Sequence, residues 1–170
     1  MEYALPLLIV VVTALLVYAI IKTNPAKPAS LPTRAAGPGP YVPQLPATAP
    51  ALHWSDKGRF LVEVVNESRY QATLKELAGA HGEHAAAVAC VATLVPDDQN
   101  AYENTAVAVF VEGRMAGYLA PKEALHFRQR LKFKEIESQP TTCDAQVRGG
   151  GLWQGRHLAY VLVLDIEPLD

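Results

Sequence analysis

The sequence predicts a mainly β domain with short helices (α+β), a small twisted β-barrel, preceded by one transmembrane helix and a proline-rich tether. Three observations predict it: an uncharged apolar run over residues 3–21, eight of the chain's thirteen prolines within residues 22–52, and short β-branched runs separated by turn residues over residues 53–170. A chain of 170 residues has room for one ordinary domain besides such extras.

The apolar run reads YALPLLIVVVTALLVYAII. As a helix it spans about 28 Å, close to the hydrocarbon core of a bilayer, and its Val, Ile and Leu side chains would be costly to expose to water. Pro6 falls in the first turn, where a missing N–H costs little. A cleaved signal peptide would need a positive N-terminal region, and here the flank is Met1-Glu2. Lys22, Lys27 and Arg34 follow the run and no basic residue precedes it. Positive flanks stay in the cytoplasm, so the expected arrangement is a single pass through the inner membrane with the C-terminal domain cytoplasmic. Cys90 and Cys143 are the only cysteines, a number that fits reduced thiols in that compartment better than a disulfide framework.

Residues 22–52 lack apolar periodicity, so they are expected to form a disordered, stiffened tether. Such a tether reaches roughly 30 Å as a coil and about 95 Å extended, which would hold the domain near the membrane.

Within residues 53–170 the first strand is expected at Phe60–Val65, and QATLKELAG at 71–79 reads as a helix closed by Gly79. AVACVATLVP at 87–96 is a strand ended by Pro96, and DDQNAYEN at 97–104 is turn chemistry. Strands at 105–111 and 115–120 flank Glu112-Gly113-Arg114 as a hairpin. Pro121 opens a helix over 121–132. Strands at 143–150 and 158–166 complete a set of five or six. The alternating βαβ order of a nucleotide-binding sheet is absent.

Enzyme motifs are missing: there is no P-loop, no GxSxG and no HExxH, so the chain is read as a non-enzyme that needs no cofactor. His81-Gly82-Glu83-His84 has metal-like spacing, but Gly82 and the want of a third nearby ligand favour a solvated loop. Asp97-Asp98 reads as part of a turn, and Gly149-Gly150-Gly151 reads as a hairpin turn before a phosphate cradle. A polar-aromatic set frames the strands: Ser68-Arg69-Tyr70, Asn100-Ala101-Tyr102-Glu103-Asn104 and Gly117-Tyr118-Leu119. Tyrosines with an arginine are what a base-stacking pocket needs, since a ring stacks on any base and a guanidinium holds a phosphate. The ordinary alternative is that Tyr70 and Tyr118 simply pack at the barrel ends.

The segments VEVVNESRYQATL, LVPDDQNAYENTAVAVFVEGRMAGYLAPKEALHFRQRL, CDAQVRGG and YVLVLDI, in that order, resemble the HIRAN domain over about residues 60–167. The resemblance implies an OB-like or SH3-like barrel that binds single-stranded DNA at its 3′ end, in a standalone, membrane-anchored, bacterial-type form. It implies a nucleic-acid site of Arg69, Tyr70, Asn100, Tyr102, Glu103, Tyr118 and Lys122. Arg69 would meet a phosphate, and Tyr70 and Tyr102 would stack on the terminal base. Glu103 stands for an aspartate that meets the 3′-hydroxyl, and Tyr118 stands where a histidine is common. The chain departs from the pattern at Ala120-Pro121, where a basic residue is usual and Lys122 is one place off, and in lacking an aromatic in the penultimate strand, Trp153 lying a few residues on.

Residues 53–170 hold twelve Lys and Arg against sixteen Asp and Glu, so non-specific attraction to DNA is weak. Arg128, Arg130, Lys132 and Lys134 form the one local basic cluster, read as a solvated face. The competing reading is a protein-interaction module at the membrane that kept the barrel and lost the nucleic-acid pocket.

Overall fold

The structure, a computed structural model, describes Tyr18, residues 41–65 and residues 67–168. Apart from Tyr18, the apolar run 3–21 and the tether as far as residue 40 lie outside the described residues, and no described helix is long and apolar enough to cross a membrane. Tyr41–Asp170 forms one compact unit. That unit includes residues 41–52, which are bonded to it one group at a time. Ala51 N–H donates to Pro140 O (2.9 Å), Thr142 N–H donates to Leu52 O (2.8 Å), and the Tyr41 hydroxyl reaches Asp97.

The elements in chain order are β1 (His53–Trp54), β2 (Val62–Glu63), a 3-10 turn (Glu67–Arg69), α1 (Gln71–Ala78), β3 (Ala86–Pro96), β4 (Val107–Val111), β5 (Arg114–Tyr118), α2 (Pro121–Phe133), β6 (Thr141–Gly149), β7 (Leu152–Trp153), β8 (Arg156–His157) and β9 (Tyr160–Leu164). The main sheet runs β2-β9-β6-β3-β4-β5, antiparallel throughout, with β1 added parallel to the first half of β6. Its two outer strands then meet: Val65 N–H donates to Tyr118 O (2.8 Å) and Tyr118 N–H to Val65 O (3.1 Å). A sheet whose opposite edges touch must curl, and the domain is a mainly β, curled antiparallel half-barrel with two short helices. Gly117 permits that meeting. Its φ is +151°, and a Cβ there would lie 2.4 Å from Val64 Cγ1 and 2.7 Å from Val65 O.

Local sequence accounts for most of these elements. On β6, Thr141, Cys143, Ala145 and Val147 are buried alternately, the period of a half-buried strand. Pro121 starts α2 at its tolerated position, and Ala124, Phe127 and Leu131 line the helix face that enters the core. Trp54 packs on Phe127 with ring centroids 5.5 Å apart. Burial of side chains such as Phe127 and Leu131 contributes about 1.5–3 kcal/mol each. Glu112 and Gly113, both at positive φ, make the two-residue turn that joins β4 to β5.

Three sequence expectations needed correction. The first strand shrinks from residues 60–65 to Val62–Glu63 because Phe60 sits at φ +50° and ends the preceding loop. The last strand spans Tyr160–Leu164, since Leu158 and Ala159 are exposed outside the ladder. Five or six strands become a seven-stranded sheet plus the exposed ribbon β7–β8, the added pieces being two-residue strands that carry no readable period.

Candidate functional site

All five residues of β4 are buried, so both faces of that strand are covered. Val107, Val109 and Val111 face the main core. Ala108 and Phe110 face the other way and form a second apolar cluster with Val95 and Met115, and Tyr70 and Tyr118 pack against it. These two tyrosines reach that cluster from distant points in the chain: Tyr70 precedes α1, and Tyr118 ends β5 at the closing bridge.

Burial pushes the Tyr118 phenol up to about 12, with the charges of Asp97, Tyr70 and Tyr41 adding to it and Arg69 opposing. Arg69 is exposed at the end of the 3-10 turn and has no ion-pair partner among the described residues.

The loop between β3 and β4 supplies the next residues. Asp97 N–H donates to Ala106 O (2.9 Å), closing the loop, and Asn100 N–H donates to Asp97 O (3.3 Å). Asn100 Oδ1 accepts from the N–H groups of Tyr102 (3.0 Å) and Glu103 (3.2 Å), the local turn bond for which asparagine suits such positions. Tyr102 is 98 % exposed, and its ring stacks on nothing among the described residues. The Glu103 carboxylate accepts from Thr105 Oγ1 (2.6 Å) and Thr105 N (3.2 Å), bonds that hold its carboxyl below the usual range.

Of the seven residues expected at a site, the structure thus brings Tyr70 and Tyr118 together over one apolar patch, with Arg69 within electrostatic reach. It presents Tyr102 from a loop organised by Asn100, and it commits Glu103 to Thr105. Lys122 stands exposed in the first turn of α2, and no hydrogen bond joins it to the others among the described residues.

Tyr41 escaped the sequence reading, and Asp97 was read there only as part of a turn. Asp97 is 3 % exposed and its Oδ1 accepts the Tyr41 hydroxyl at 2.6 Å. That bond, then burial, raises the Tyr41 phenol to about 12. The only sequence signals were an acid directly after the strand-ending Pro96 and a lone aromatic in proline-rich text.

The remaining candidates have internal roles. Arg128 pairs with Asp98, Arg130 donates to Pro168 O (2.7 Å), and Lys134 lies over the Trp54 ring, so the basic run on α2 is largely committed within the chain. His81 has both ring nitrogens engaged, Nδ1 with His84 O (2.6 Å) and Nε2 with the Tyr160 hydroxyl (2.8 Å). No three metal-ligating side chains converge among the described residues. The Tyr160 ring fills the space beside Gly150, where a Cβ would lie 2.1 Å from it, so that glycine serves packing. Cys90 and Cys143 are free thiols that burial pushes up to about 11 and about 12, away from the reactive thiolate.

What fold and site together define is a mainly β domain with an aromatic patch on its outer face. No family model matches the chain, and no curated protein or solved structure does so either.

Proposed function

We propose that the domain is a HIRAN-type module, an OB/SH3-like barrel that binds single-stranded nucleic-acid ends, DNA 3′ ends foremost, and is held at the cytoplasmic face of the inner membrane by residues 3–21. The observation that carries this reading is the pairing of Tyr70 and Tyr118 over Val95, Ala108, Phe110 and Met115, with Arg69, exposed and without an ion-pair partner among the described residues, next to Tyr70 in the chain, and Tyr102 displayed on the β3–β4 loop. Rings set on an apolar floor stack bases without sequence preference, and a guanidinium left free by the protein can take a phosphate. The resemblance in the order of segments points the same way. In this reading Asn100 shapes the loop, Glu103 meets the terminal hydroxyl, Lys122 adds a peripheral charge, and no chemistry is performed on the ligand.

The test is a titration of the full chain in lipid nanodiscs with labelled single strands bearing free or blocked 3′ ends. The free end should bind more tightly. Tyr102→Ala should weaken it by about 5- to 150-fold, the range for loss of one stacked base. With Arg69 and Lys122 as the phosphate contacts, the slope of log K against log salt should be about −1.4. Equal, negligible binding of both strands would overturn the reading. Protease protection in intact spheroplasts tests the orientation, and digestion of the domain from outside would refute it.

One observation favours a second reading, a protein-interaction module. The ribbon β7–β8 exposes Trp153 (65 %) and is followed by Leu158 (52 %), beside Arg156, on a domain of net negative charge. Exposed tryptophan and arginine are common anchors of protein interfaces. Retained binding of a protein partner with no strand binding would select it.

A further inference from the structure

Tyr41 opens the compact unit, and its hydroxyl donates to Asp97 Oδ1 at 2.6 Å. Asp97 is buried at the end of β3, and its N–H bond to Ala106 O ties the two ends of the β3–β4 loop together. Its second carboxylate oxygen faces Asn100 Nδ2 at 3.4 Å, and Asn100 Oδ1 takes the N–H groups of Tyr102 and Glu103. A continuous run of hydrogen bonds therefore leads from Tyr41 to the two residues the loop displays. The first link is the strong one: a short O–H bond to a carboxylate is charge-assisted, and a buried carboxylate that loses its donor bears the full desolvation cost. The loop's other outside anchor is the ion pair of Arg128 with Asp98, whose side chains are 20 % and 59 % exposed, a partly exposed pair that contributes about 1 kcal/mol or less.

We infer that Tyr41 is a positioning residue of the binding site proposed above, holding the β3–β4 loop through Asp97 and Asn100 so that Tyr102 and Glu103 face a bound chain end. The ligand part of this inference rests on the proposed function, while the loop part does not. The Tyr41 phenol, raised to about 12, keeps its proton and remains a donor across the ordinary pH range. The residue comes from the stretch of chain that leads to the expected anchor, so the site includes a piece of what the sequence presents as tether.

The experiment uses the full chain in nanodiscs and compares wild type, Tyr41→Phe and, as a control, Arg128→Gln. Tyr41→Phe keeps the ring and removes the donor. Amide hydrogen exchange of residues 100–106 should quicken by about 10- to 150-fold, the effect of a lost bond to a buried charge. Exchange in β6 and β9 should quicken far less than in the loop, and the melting temperature should fall by no more than a few degrees. The dissociation constant for a single strand with a free 3′ end should rise, and discrimination against a blocked end should shrink. Arg128→Gln should change loop exchange by less than about 2-fold. A purely structural role for Tyr41 would instead speed exchange throughout the sheet and leave end discrimination intact. That result, or unchanged loop exchange in Tyr41→Phe, overturns the inference. If wild type binds neither strand, the functional reading fails by itself and loop exchange alone decides whether Tyr41 positions the loop.

Discussion

Two buried aspartates fasten loops at strand ends, and they do it differently. Asp165, just past β9 and 2 % exposed, accepts from Ser55 Oγ (2.8 Å) and from the backbone N–H groups of Gly58 (2.8 Å) and Arg59 (3.1 Å). Asp97, just past β3 and 3 % exposed, accepts from two side chains, a strong bond from Tyr41 and a long one from Asn100. Backbone donors fix the chain itself. Asp165 thereby holds the loop between β1 and β2 in a shape that needs positive φ at Lys57 and Phe60. Side-chain donors fix only a tip, and the loop behind Asp97 keeps an exposed tyrosine and half-buried neighbours at its crest. The contrast separates a carboxylate that completes the fold from one that shapes an exposed loop.

That contrast breaks most directly by truncation. Asp165→Ala removes three hydrogen bonds from a buried acceptor and should cost about 3 kcal/mol of stability, whereas Asp97→Ala should cost about 1–2 kcal/mol. Urea unfolding measures both, and a reversed order would dissolve the distinction. Acid titration sharpens it. Burial pushes the Asp165 carboxyl up, but the bonds from Ser55 and from the N–H groups of Gly58 and Arg59, with the Asp56 N–H beside them, outweigh it and leave the group below its ordinary value. Its contribution is therefore present in full above the unfolded value of roughly 3.9, and it is lost as pH falls from there through the lower folded value. Denaturation midpoints between about pH 2 and 5 should drop in wild type and flatten in Asp165→Asn. The smallest effect belongs to the crest of the other loop. Tyr102→Ala should shift stability by less than about 0.5 kcal/mol, so any loss of strand binding in that variant reports contact with ligand and not unfolding.

The same two loops show how far sequence reading reaches. Helix α1 was legible in its helix formers and Gly79, α2 in Pro121, and the β4–β5 hairpin in Glu112-Gly113 between β-branched runs. These are local signals, and local chemistry decides them. The shortening of the first strand was not legible, because the carboxylate that bends residues 55–60 lies more than a hundred positions away. Residues 41–52 looked like tether because they attach by isolated groups and show no apolar stripe. At the candidate site the residue types were legible and their convergence was not. Tyr70 and Tyr118 share a floor because the sheet closes at Val65 and Tyr118, and Tyr41 was hidden among prolines.

The ladder between β3 and β6 has a consequence for how the chain finds its shape. It is the longest pairing in the sheet, running from Ala86 opposite Gly149 to Leu94 opposite Thr141. Those partners lie far apart in sequence, while β4 and β5 are joined by a two-residue turn. Closing a long loop costs entropy before any contact rewards it. Refolding should therefore form the hairpin early and be limited by the meeting of β3 with β6. Substitutions at Ala92 or Cys143, which face each other across that ladder, should change the folding rate more than substitutions at the hairpin turn.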